Sequence, residues 1–138
     1  MRPESMRRWA ERYARIALGA AFLSAVASRF GLWRGRPIAV SFAGFVRYTG
    51  DVIAFAPRPM IPALAVTATA AELSLGIALV LGVRPRATAI ASAVLLALFA
   101  TSMAISLGPQ APLDYSVYSA SAAAALLAAY ATTNSRTS

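Results

Sequence analysis

The chain has 138 residues, 59% hydrophobic and only 13% charged, with a mean hydropathy of +0.63. Ordinary soluble domains are about 45–50% apolar and about 25% charged, so a soluble chain of this size would not easily hide so much apolar surface. A net charge of +8 is carried by arginine alone; Cys and His are absent, which removes thiol and imidazole catalysis and the usual zinc, copper and haem ligands.

No glycine-rich phosphate loop is present. The arginines sit between apolar stretches rather than on an aromatic-interleaved basic face, which argues against nucleic acid and for membrane-flanking charge. A bilayer core about 30 Å thick needs roughly 20 apolar residues as helix, and four segments qualify. The first runs from about Tyr13 to Trp33, with Arg15 and Arg29 near its ends. Its "AVA" at Ala25–Ala27 imitates a signal cleavage site. The long basic lead and the "FGLW" that follows favour a retained helix instead.

Next comes a connection bounded by Pro37 and by Pro57, Pro59 and Pro62. Within it Phe42, Phe45, Val46, Thr49, Val52 and Ile53 recur at helical spacing, and Arg47 and Asp51 stand four apart. The pattern predicts a short amphipathic helix on or tucked into the outer membrane surface. A shielding lid and a ligand-facing element are both open to it.

The second membrane segment, Ala63–Gly82, carries Glu72. A charge at the bilayer centre costs about 2.5–3.5 kcal/mol on insertion scales. Around Glu72 on its own face stand Ala65, Ala68, Thr69, Leu75 and Gly76. All but Leu75 are small, so a neighbouring helix can approach and the carboxyl is expected to point inward. It escapes its cost either by staying protonated or by pairing with Arg29. Two roles stay open: a proton-handling or ligand-anchoring group, or a structural lock between helices.

The third segment is Ala87–Leu107, whose Ser92, Thr101, Ser102 and Ser106 can bond back to helix carbonyls. The fourth, about Tyr115–Ala131, is short and rich in Ala. Asp114 is expected to cap its N-terminus. Tyr115, Tyr118, Ser119 and Ser121 either line a pocket or form an interfacial belt. Small residues four apart (Ala17 with Ala21, Ser119 with Ala123) are a weak packing signal in so Ala-rich a chain.

The "VRPR" turn and the N-terminal arginines, with Arg136, place both termini in the cytoplasm. Arg34, Arg36, Arg47 and Arg58 in the long connection pull against that rule.

Three stretches, "RIALGAAFLSAVASRFG", "AELSLGIALVLGVRPRATA" and "APLDYSVYSASAAAALLA", together resemble the DoxX family of small bacterial membrane proteins, over about residues 12 to 130. The most specific pieces are "ELSLGIALVLG", with Glu72, Gly76 and Gly82, and "PLDYSVYSASAAA". The family often has Lys after the first helix, near where Arg29 stands. The resemblance implies a membrane subunit of a quinone-linked oxidoreductase or an oxidative-stress complex. A related group is linked to disulfide maturation, a role at odds with the missing Cys.

The expectation is thus a single all-α, integral membrane four-helix bundle of a bacterial inner membrane, with the amphipathic helix between helices one and two. Its partners are the lipid bilayer and a redox protein, with a quinone-like lipid as the cofactor to consider. It is expected to be a non-catalytic subunit rather than an enzyme on its own, since it has no redox group. Glu72 and Arg29 form the polar core, with Tyr48, Asp114 and Tyr115 as the other site candidates. The alternative is a small proton-coupled transporter or lipid-binding protein.

Overall fold

In the computed structural model, which describes residues 2–135, six α-helices follow one another, with no strand among the described residues. They are α1 (Pro3–Arg29), α2 (Ile38–Val52), α3 (Ile61–Leu81), α4 (Pro85–Leu107), α5 (Gln110–Asp114) and α6 (Val117–Ser135). A single 3-10 turn, Arg58–Met60, leads into α3. Prolines open α1, α3 and α4 in the first turn, where a missing N–H costs nothing and the fixed φ suits a helix. Gly82 ends α3 in the left-handed region at φ +73°, a conformation that glycine reaches without a Cβ clash.

Contacts run around a ring: α1 against α3, α3 against α4, α4 against α6, and α6 against α1. The α4–α6 and α1–α3 pairs are the most extensive. Leu18, Phe22, Leu79, Ala89, Ala124, Leu127 and Ala128 form the buried core between them. Ser121 Oγ ties the rear pair by donating to the Ala93 carbonyl at 2.8 Å.

The register of α1 on α3 is set by glycines. A Cβ at Gly19 would stand 2.7 Å from Val80 Cγ2 and 3.0 Å from the Gly76 carbonyl oxygen. One at Gly76 would meet Leu23 at 3.0 Å and the Phe22 Cβ at 3.2 Å. These antiparallel helices therefore approach closely here. Ala17 and Ala21, the small pair of the sequence pattern, point outward instead.

Two helical spans, Arg58–Leu81 and Pro85–Leu107, are long and apolar enough to cross a membrane by length and composition, and Val117–Ala131 is a shorter apolar helix. Their outward faces are apolar: Val66, Leu73 and Ile77 on α3, and Ile90, Val94, Leu98 and Ile105 on α4, are all exposed. A folded surface so apolar is suited to lipid.

The first helix differs from the sequence expectation at both ends. It begins at Pro3, because the basic lead is itself helical, and it stops at Arg29 rather than Trp33. Gly31, at φ +74°, turns the chain so sharply that a Cβ there would lie 2.3 Å from the Arg36 carbonyl oxygen. The α2 helix then packs against α1, α3 and α4, with Thr49 buried and Gly50 near Ile61. The predicted stripe of α2, Phe42, Phe45, Val46, Thr49 and Val52, is its inward side, whereas Arg47, Tyr48 and Asp51 are exposed.

Candidate functional site

Glu72 lies on the buried face of α3 with Ala65, Thr69 and Gly76, as its small neighbours require. The antiparallel register brings the last residue of α1 level with it. Arg29 Nη1 forms an ion pair with Glu72 Oε2, and the two side chains are only 11% and 5% exposed. Oε2 meets no other hydrogen-bond donor. The guanidinium is thus what compensates this buried carboxylate oxygen.

Arg29 is itself held from two further sides. Its Nη1 donates to Thr69 Oγ1 at 3.2 Å, and that hydroxyl donates onward to the Ala65 carbonyl at 2.8 Å. Its guanidinium carbon sits 3.7 Å from the centre of the Phe45 ring, a cation–π contact strengthened where water is scarce. Phe42 continues the aromatic packing, with Phe45 at 6.1 Å and Phe30 at 6.3 Å between ring centres. Three helices meet at one charge pair.

Thr69 is eight residues in from Ile61, about 12 Å of helix at 1.5 Å per residue. The pair therefore lies well inside the length of α3, where neither charge can reach its end.

Tyr48 and Tyr115 stand near enough to interact electrostatically, and both are exposed to a large degree. Partial burial pushes the Tyr48 phenol above its ordinary value; Tyr115 and then Asp51 add to the shift by repelling a phenolate. Among the described residues, neither tyrosine shares a hydrogen bond or ring contact with the Arg29–Glu72 pair.

Asp114 corrects the expectation of a helix cap. It is the last residue of α5, exposed, and it accepts a hydrogen bond from Gln110 Nε2 at 3.1 Å. Ser116, at φ +56°, separates it from α6, which starts at Val117. Asp114 thus stands two residues ahead of the cap position, whose residue, Ser116, accepts from the Ala120 N–H through its carbonyl at 3.0 Å.

The hydroxyls of α4 also divide. Ser92 bonds back to the Thr88 carbonyl as expected, but Thr101 pairs with the Tyr118 hydroxyl at 3.3 Å, and Ser106 Oγ accepts from the Ala54 N–H at 3.3 Å. Both join separate elements. Phe45 and Gly19 were not legible as partners, since contact across helices leaves no local pattern. Arg136, one of the topology charges, lies outside the described residues.

An all-helical chain with apolar outward faces and a charge pair sealed between its helices is built as a membrane protein. The DoxX family model matches residues 12–112, so the chain belongs to the DoxX family. Comparison with curated proteins and with solved structures finds no match.

Proposed function

We propose that this is an integral four-helix protein of a bacterial inner membrane, acting as the non-catalytic membrane subunit of a redox complex. In this reading α1, α3, α4 and α6 form a single membrane domain with both termini in the cytoplasm, and α2 is tucked against its outer half. The observation that carries it is the closed Arg29–Glu72 pair, held by Thr69 and capped by Phe45. An enclosed pair where three helices meet supports a helix-locking core over a gated proton path. The redox partnership rests on the family resemblance, and the chain supplies no redox group of its own.

A second reading, in which a quinone-like lipid binds, draws on the Phe45 ring against the pair and on the tyrosines elsewhere in the bundle. Phe45 covers the guanidinium, and Tyr48 and Tyr115, both exposed, offer phenol hydroxyls. A quinone carbonyl oxygen would need a donor such as Arg29 Nη1, so binding would compete with Glu72.

Replacing Glu72 with Gln tests both. A structural lock predicts a loss of order 3 kcal/mol in detergent, because removing one partner strands a buried charge. The double variant Arg29→Gln, Glu72→Gln then recovers much of it. Binding of a quinone analogue that tightens in Glu72→Gln at unchanged melting temperature, as the competing carboxylate is removed from Arg29, would instead favour the ligand role. Unchanged stability and unchanged binding sink both accounts. Mild extraction from the native membrane, followed by identification of co-purifying proteins, checks the redox partner.

A further inference from the structure

A cleft of about 440 Å³ opens between the turn after α1 and the N-terminal half of α2. Arg34, Arg36 and Arg47 line it, together with the hydroxyl-bearing Ser28 and Ser41 and the indole of Trp33. None of the three arginines forms an ion pair among the described residues. Even Arg47, four residues before Asp51 on the same helix, does not pair with it, although that spacing permits contact. Three arginines without an acidic partner, lining one space, suit an anion.

The turn that presents them is fixed. The Arg34 and Arg36 N–H groups both donate to the Gly31 carbonyl, at 3.3 and 3.1 Å. Trp33 Nε1 donates back to Ser24, to its carbonyl at 3.2 Å and its hydroxyl at 3.1 Å. Hydrogen bonds within the turn thus set the two arginines in place before any ligand arrives, which lowers the ordering cost of binding. Of the apolar residues in its lining, Trp33 and Val40 are exposed, as are Leu32 and Ile38 nearby in the chain. The site therefore couples a cationic centre with an apolar rim.

We propose that this cleft binds the phosphate headgroup of an anionic phospholipid, with the acyl chains lying along the apolar rim. Charge complementarity selects the anion, and the rim selects an amphiphile over free phosphate. The cleft also takes in Ser28 and Gly31, where α1 ends and the chain turns toward α2. In a bilayer, exposed arginines at the end of a spanning helix need an anion they can reach, and a lipid phosphate is the one the membrane supplies. This accounts for arginines in the connection that the positive-inside pattern would keep sparse. The proposal goes beyond the subunit reading and involves neither Glu72 nor Arg29.

The test uses the full chain in detergent with Trp9→Phe, which leaves Trp33 as the single tryptophan. Its emission is followed while short-chain phosphatidylglycerol, phosphatidylcholine or inorganic phosphate is added. Phosphatidylglycerol should give a saturable shift, whereas the other two should not at the same concentrations. The variant Arg34→Gln, Arg36→Gln, Arg47→Gln should bind roughly tenfold more weakly or worse. Its three sites are exposed, so its melting temperature should match the parent. Should the triple variant fail to fold, each single substitution must weaken binding by itself. Equal responses to the two lipids, a phosphate response matching that of phosphatidylglycerol, or arginine variants of undiminished affinity would overturn the proposal. Glu72→Gln should leave the lipid response intact, which separates this test from that of the pair.

Discussion

Arg29 is compensated three ways: by a carboxylate, by a hydroxyl and by an aromatic face. These contributions differ in size. Phe45→Leu keeps the apolar volume but removes the ring quadrupole, so it should cost about 0.5–2 kcal/mol, less than Glu72→Gln. Thermal melts of both variants in one detergent check the order; a larger loss for Phe45→Leu would mean that packing dominates. The inward orientation of Glu72 was legible from its small neighbours, and Arg29 was the partner within reach of it. Phe45 was not, because a cation–π contact leaves no spacing in a sequence. Tyr48 gives a titration prediction at the same scale. Since its phenol is raised in the folded state, the native form binds more protons at alkaline pH. Stability from this group is present below the ordinary tyrosine value of about 10 and is lost as pH rises through the folded one. Difference spectra of the parent and Tyr48→Phe should place the Tyr48 phenolate above free tyrosine, and coincidence with free tyrosine would refute the shift.

Between elements, the α1–α3 contact depends on two glycines whose missing Cβ atoms allow the backbones to meet. Gly19→Ala must displace Val80 and presses on a backbone carbonyl, so a loss of about 1–3 kcal/mol is expected. Gly44→Ala on α2 meets nothing within 4 Å, and added helix propensity of about 0.5–1 kcal/mol should leave it neutral or slightly stabilised. Equal melting temperatures for the two variants would contradict the close approach. Helix positions were largely visible from hydropathy and proline. The end of α1 at Arg29 was not, since "FGLW" is apolar enough to continue a helix and only the Gly31 turn, folding back on Ser41 and Arg36, stops it. The α2 stripe was readable because its period matches its buried side. Asp114 was misplaced for a related reason: a carboxylate before an apolar run fits a cap by sequence, but α5 and Ser116 intervene.

For the whole molecule, the arginine distribution frames the topology. Arg15 lies against Gly82 at one end of the α1–α3 pair, beside Arg84 in the turn and Arg86 in the first turn of α4. The proposed orientation makes this end cytoplasmic and the Tyr115 region external. Because the chain has no Cys, single cysteines can be introduced without background. In intact cells a membrane-impermeant thiol reagent should label Tyr115→Cys, while Val83→Cys should react only after permeabilisation; both residues are exposed. The reverse pattern would invert the topology.

Composition by itself determined the class: too apolar and too sparsely charged to be soluble with ease, with no Cys or His for most site chemistry. It also marked Glu72 as the residue in need of a partner, and its helix as one of a recognisable family. Only the tertiary structure decided how that need is met. Register between helices is fixed by shape, through Gly19 and Gly76, and those contacts join residues more than fifty positions apart. Local propensity carries no information on such a match. That register sets Arg29 beside Thr69 and Glu72, and the turn at Gly31 returns α2 so that Phe45 closes over the pair.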